Sequence, residues 1–299
     1  MPFLELSIAC KSSEEARVEA ALNELGALSV SLLDAADAEN ECAILEPGVG
    51  ETPLWQDITL LALFEHGTHE ALLLHALDAY DEGIDWQQAH FTLVADQDWE
   101  RAWLDQFKPM QFGARTWIIP WHMQAPAEAE NAVIIRLDPG LAFGSGTHPT
   151  TDLCLQWLDG LELAGETVLD FGCGSGILAL AALKLGAKHA IGVDNDPQAL
   201  LASVDNAERN GVGEQLQVFL PEQEPVQQYP IVVANILASA LIQLVGLLAS
   251  RVQAGGVIAL SGILHNQAEE VLASYAPYFD ALQVTQLEDW VRIDGCRKH

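Results

Sequence analysis

Basic residues are scarce in this chain of 299 residues, which holds 13 Lys and Arg against 43 Asp and Glu, a formal net charge of -30 at pH 7. A field of that sign repels phosphate backbones and argues against direct nucleic-acid binding. It attracts basic proteins, or serves solubility alone. The deficit is uneven: residues 1–100 carry 21 acidic side chains against Lys11 and Arg17 only, a net of -19, and the other 199 carry 22 against 11, a net of -11. Cysteine is sparse too. Cys10, Cys42, Cys154, Cys173 and Cys296 include no C-x-x-C pair, so neither a zinc site nor a disulfide framework is expected, and a reducing cytoplasm fits. The opening MPFLELSIACKSSEE lacks a basic n-region, so no signal peptide is expected. One charge-free run, residues 231–250, has the length of a membrane span. Asn235, Gln243 and serines interrupt it, Pro230 precedes it, and its N-terminal flank is not basic. A buried strand followed by a core-facing helix is expected there, and no membrane association.

What is present is apolar material, half of the chain, enough for about two domains. The first part alternates strand and helix patterns: strand 3–9, a helix capped by Ser12 or Ser13 with Ala16, Val18, Ala21, Leu22 and Leu25 on one face, strand 27–34, strand 57–65, helix 69–80 and strand 90–96. That βαββαβ order predicts a small ferredoxin-like α+β domain over 1–96. Its acidity and its lack of paired strand aromatics disfavour RNA binding, so holding a protein, or dimerising, is the expectation. Residues 97–130 read as a connector with a helix. Trp99, Trp103, Leu104 and Phe107 have helical spacing and Trp117 and Trp121 follow, as linker packing or as a binding ledge.

The second domain, 131–299, alternates apolar strands (167–171, 190–194, 216–220, 231–236, 256–262) with helices such as 196–211, where Asp196 caps and Pro197 opens the first turn. This is the pattern of a parallel sheet covered on both faces. The tail, 279–295, reads as a hairpin closing one sheet edge.

In such a sheet ligands bind beyond the carboxyl ends of the strands. Gly172, Gly174 and Gly176 follow the first strand there. Gly174, Gly176 and Ala179 satisfy the relaxed dinucleotide pattern, and Asp194 ends the next strand, where a carboxylate can bind ribose hydroxyls. Asp170 shifts the reading. A carboxylate beside the loop repels a pyrophosphate and suits a cationic ligand such as S-adenosylmethionine; alternatively it accepts hydrogen bonds from loop amides.

DFGCGSG with GVDND resembles the Rossmann-like, S-adenosylmethionine-dependent methyltransferases. LDPGLAFGSGTHPTT (137–151) and VVANILA (232–238) are similar to the ribosomal protein L-eleven methyltransferase family, over the whole chain. Ser145 stands where that family's FGTGTH has Thr. The resemblance implies a mostly parallel seven-stranded sheet, S-adenosylmethionine as cofactor, and up to three methyl transfers to lysine side chains and an α-amino group of a basic large-subunit ribosomal protein. The free protein is the expected substrate rather than the one in the ribosome. Cofactor contacts carry over to Thr151, Gly172, Asp194 and Asn235, with Asp170, Gly174 and Gly176 beside them; no metal is implied. Asn235 is expected near the transferred methyl, its Oδ1 aiming the amine. NILA lacks the stacking aromatic of NPPY or DPPY enzymes, which favours a flexible aliphatic amine. His148 is either a general base or a loop-capping side chain. The oligomeric state is open, a monomer being compatible.

Overall fold

The computed structural model describes residues 2–35, 55–94, 107–138 and 146–299. Cys42, Trp99, Trp103, Leu104 and Ser145 therefore lie outside the described residues. The chain divides into two units, Met1–Trp99 and Glu100–His299.

The first unit runs β1 (Phe3–Lys11), α1 (Glu15–Glu24), β2 (Ser29–Asp34), β3 (Asp57–Phe64), α2 (Glu70–Tyr80) and β4 (His90–Val94). Its sheet is antiparallel with order β2-β3-β1-β4, the ferredoxin-like arrangement. Period-two alternation puts Leu4, Leu6 and Ile8 of β1 and Ile58, Leu60, Ala62 and Phe64 of β3 on one buried face. Val18, Ala21 and Leu22 of α1 and Leu73 and Leu77 of α2 cover it. The start of α1 differs from the sequence expectation. Ser12 and Ser13 sit in the preceding turn, closed by the Glu14 amide on the Lys11 carbonyl at 2.8 Å. Glu14 is the N-cap position, and its carboxylate accepts the Lys11 amide at 3.2 Å, so no side chain caps the helix.

The second unit opens with β5 (Met110–Phe112), β6 (Thr116–Ile119) and β7 (Val133–Arg136), which pair in one small sheet. The stretch read as a connector thus supplies two strands to this unit. Trp121 packs under the Arg209 guanidinium, 4.5 Å from the ring centre.

α3 (Pro149–Asp159) precedes β8 (Thr167–Phe171), α4 (Ile177–Lys184), β9 (His189–Val193), α5 (Pro197–Arg209), β10 (Leu216–Phe219), β11 (Tyr229–Asn235), α6 (Ala238–Gln243), α7 (Val245–Arg251), β12 (Val252–Leu264), α8 (Ala268–Tyr275), β13 (Phe279–Leu287) and β14 (Trp290–Arg297). The strands form one seven-stranded sheet, β10-β9-β8-β11-β12-β14-β13, parallel except for the antiparallel tail pair. This is the α/β, Rossmann-like class expected from the sequence. Alternate residues feed two cores. Val168 and Val233 face α3, α4 and α5, while Leu169 and Val232 face α6, α7 and α8. α4 is apolar all round and buried from Ile177 to Leu183, as a helix packed inside the fold must be. The charge-free run becomes β11 and two short helices broken at Leu244. Among the described residues no helix is long and apolar enough to cross a membrane.

Candidate active site

The carboxyl ends of β8, β9 and β11 lie side by side, because β8 pairs with both neighbours in parallel. After Phe171 the chain turns at Gly172, whose φ is +80°. A Cβ there would lie 2.2 Å from Ile236 Cγ2, so the absent side chain lets the β8 and β11 loops touch. The Gly172 and Cys173 amides both donate to the Val193 carbonyl, at 2.7 and 3.0 Å. The Gly174 amide donates to Asp194 Oδ2 at 2.9 Å, and Asp194 Oδ1 accepts the Asp196 amide at 3.0 Å. α5 holds the loop from outside: Ser203 Oγ donates to the Gly174 carbonyl at 2.9 Å and Asn206 Nδ2 to the Ser175 carbonyl at 3.0 Å. Asp196 caps α5 through the Gln198 amide, and Gly176, with φ +79°, occupies the N-cap of α4.

Asp170 shares the sheet face of Val168, opposite Val233 and Gly192 in register. It is fully buried beneath α4. Oδ2 accepts the Ala179 amide at 3.0 Å, so the loop-amide reading holds for one oxygen. Oδ1 has no hydrogen-bond partner among the described residues. Burial drives the carboxyl up to about 7; the Ala179 amide opposes this and Asp194 adds to it. An orphaned carboxylate oxygen under a glycine turn fits a ligand that brings positive charge and does not fit a pyrophosphate. Asp194 also retains acceptor capacity, since a carboxylate has about four lone-pair sites and two are taken.

The Asp170 shift has a measurable sign. Between pH ~4 and ~7 the folded state keeps a proton that the unfolded chain has lost. This group's contribution to stability is therefore full below pH ~4 and is lost as pH rises to ~7. Asn at 170 cannot titrate. The stability difference, Asp170→Asn minus wild type, is expected to rise across that window by about 4 kcal/mol and level off above it. Urea unfolding from pH 4 to 8 measures it, and a pH-independent difference would contradict the assignment.

Asn235 ends β11 and donates from Nδ2 to Thr151 Oγ1 at 3.4 Å. Thr151 is buried in the first turn of α3, and its amide donates to the His148 carbonyl at 3.0 Å. His148 is the N-cap of α3. Its Nδ1 accepts the Thr150 amide at 3.3 Å and lies 2.7 Å from Thr150 Oγ1, so the capping role is realised. Burial lowers the imidazole's pKa, partly offset by Glu288. Ahead of Asn235 opens a cavity of about 320 Å³ lined by His148, Thr150, Asn235, Ile236, Leu237, Gly262 and Trp290. Every sequence-expected site residue thus lies at this end of the sheet. His148 and Asn235 line the cavity, Thr151 bonds to Asn235, and Gly174 bonds to Asp194. Ser203, Asn206 and Trp290 were not foreseen. The first two carry no motif, and Trp290 comes from the tail hairpin, far away in sequence.

The family model described as Ribosomal protein L11 methyltransferase (PrmA) matches residues 2–298. A ribosomal protein L11 methyltransferase of Stenotrophomonas maltophilia is 63% identical over 305 residues, covering 100% of both chains. One from Xylella fastidiosa is 56% identical, again covering 100% of each. The crystal structure of a ribosomal protein L11 methylase from Lactobacillus delbrueckii subsp. bulgaricus, 32% identical, covers 64% of this chain and 100% of its own at a TM-score of 0.58. The chain belongs to the ribosomal protein L11 methyltransferase family.

Proposed function

We infer that the chain transfers methyl groups from S-adenosylmethionine to lysine side chains and the N-terminal α-amino group of ribosomal protein L11. The residues at the carboxyl ends of β8, β9 and β11 are proposed to perform the transfer. The observation that carries the reading is Asn235: it stands between the glycine loop and an apolar cavity, its amide tied to Thr151. When bound, S-adenosylmethionine supplies a methyl group already activated on a sulfonium. Thr151, Gly172, Gly174, Gly176, Asp194 and Asn235 are the residues proposed to hold it, with Asp170 as the buried counter-charge.

Displacement at an activated methyl needs alignment and exclusion of water more than acid–base work. The attacking amine must be neutral. A lysine amine titrates near 10.4 in water, and an apolar cavity favours its uncharged form. Asn235 Nδ2 is engaged with Thr151, which leaves Oδ1 to accept from the amine and aim its lone pair. His148 is the second candidate catalytic group: burial lowers its pKa, and to take a proton its Nδ1 must release the Thr150 amide that it caps.

The substrate is a basic protein, and residues 1–100, with their net of -19, are proposed to capture it electrostatically. RNA bound to that basic surface in the ribosome would compete with residues 1–100, so the cytoplasmic free protein is the proposed substrate. Methylation of free L11 is expected to be faster than that of the same protein in intact large subunits. Equal rates with the two substrates would contradict this.

A further inference from the structure

The strand-end sequence NILA offers no aromatic ring to the target, yet the fold supplies one from elsewhere. β12 carries one extra residue against β14: Leu260 pairs with Ile293 but Ile263 pairs with Val291. This bulge at Ser261–Gly262 re-aims the neighbouring strand, as bulges beside active sites do. Gly262 takes φ +84° and lies against the Ile236 backbone. The result brings Trp290 into the lining of the cavity that Asn235 also lines. Its indole meets the His148 ring edge-on, centroids 4.7 Å apart and planes at 68°. The Asp289 carbonyl accepts the His265 amide at 2.8 Å, which ties the hairpin tip to β12.

Among the described residues no Asp or Glu lines this cavity. Each transfer breaks a sulfonium S–C bond, whose electron pair stays on sulfur, and forms an N–C bond. The nitrogen takes the positive charge and sheds a proton to solvent before it can react again. A primary amine offers Asn235 Oδ1 an N–H to hold. That donor count falls with each methyl, and a trimethylammonium has none. The cation grows larger and less hydrated, and a tryptophan face is the best side-chain partner for it.

Resting on the proposed function, we propose that Trp290 is a specificity-determining residue, binding the methylated ammonium so that the second and third methyls follow the first. In wild type, free L11 with excess S-adenosylmethionine is expected to accumulate trimethylated sites. In Trp290→Leu the ratio of third to first transfer rates falls about tenfold, so that mono- and dimethyl states accumulate. Trp290→Phe restores the trimethyl product. A second readout needs no turnover: Nα-acetyl-Nε-trimethyllysine amide should bind wild type about tenfold more tightly than Trp290→Leu. An unchanged methyl distribution, an equal slowing of all three steps, or no wild-type preference for the trimethyllysine probe would each overturn the inference. A wild-type chain that methylates no amino group of L11 would instead overturn the proposed function itself.

Discussion

Asn235→Ala is expected to slow methyl transfer by about 100-fold or more while leaving the fold intact, because misplacing a reacting group by about 1 Å costs that much. Three observations set the expectation. Asn235 closes β11, the central strand between β8 and β12. Its Nδ2 contact with Thr151 is long, 3.4 Å, and contributes little to stability. Among the described residues lining the cavity, the polar side chains of His148 and Thr150 are already bonded to each other, which leaves Asn235 Oδ1 to aim the amine. Single-turnover methylation of free L11, with melting of the variant measured alongside, reads both effects. A rate within twofold of wild type would remove Asn235 from the mechanism, and a large fall in melting temperature would make its role structural.

Gly262→Ala is expected to be the most damaging single methyl group in the second unit. The added Cβ would stand 2.3 Å from the Ile236 carbonyl oxygen, 2.7 Å from its carbon and 3.1 Å from its nitrogen. These are backbone atoms, and the Ile236 amide is itself held by the Ser261 carbonyl at 3.1 Å. With φ at +84°, an alanine also pays the left-handed penalty. The expected loss is about 3 kcal/mol or more, a fall in melting temperature of about 6 °C or more for a unit this size. Transfer should fall further than stability alone explains, because relief of the clash moves the segment carrying Asn235. A variant that melts and turns over like wild type would contradict the close approach of β12 to the end of β11.

Much of this was legible in the sequence because it is local. Alternating apolar runs and intervening helical periods gave the parallel sheet, and two short cues, His148-Pro149 and Asp196-Pro197, marked helix starts that the structure places there. The glycine run with Asp194 marked the loop. What was not legible depends on distant contacts. The charge argument singled out Asp170, but only strand parity and the covering helix decide that one of its oxygens serves Ala179 and the other is buried without a partner. Gly172 was read as a place for a ligand to approach, and its tightest neighbour proves to be Ile236. Ser12 and Ser13 were plausible caps, but the chain closes a turn there instead. The aromatic missing from NILA was absent only locally, since a bulge in β12 brings Trp290 to the same cavity from 55 residues further along the chain.

The most direct test of the account is the mass of free L11 after incubation with the purified chain and S-adenosylmethionine, with the methylated sites located by fragmentation. The expected result is several methyl groups, confined to lysine side chains and the N-terminal amine, lost when Asn235 is Ala. Methyl groups found on RNA or on non-amine positions, or no transfer by a chain that still binds the cofactor, would contradict it.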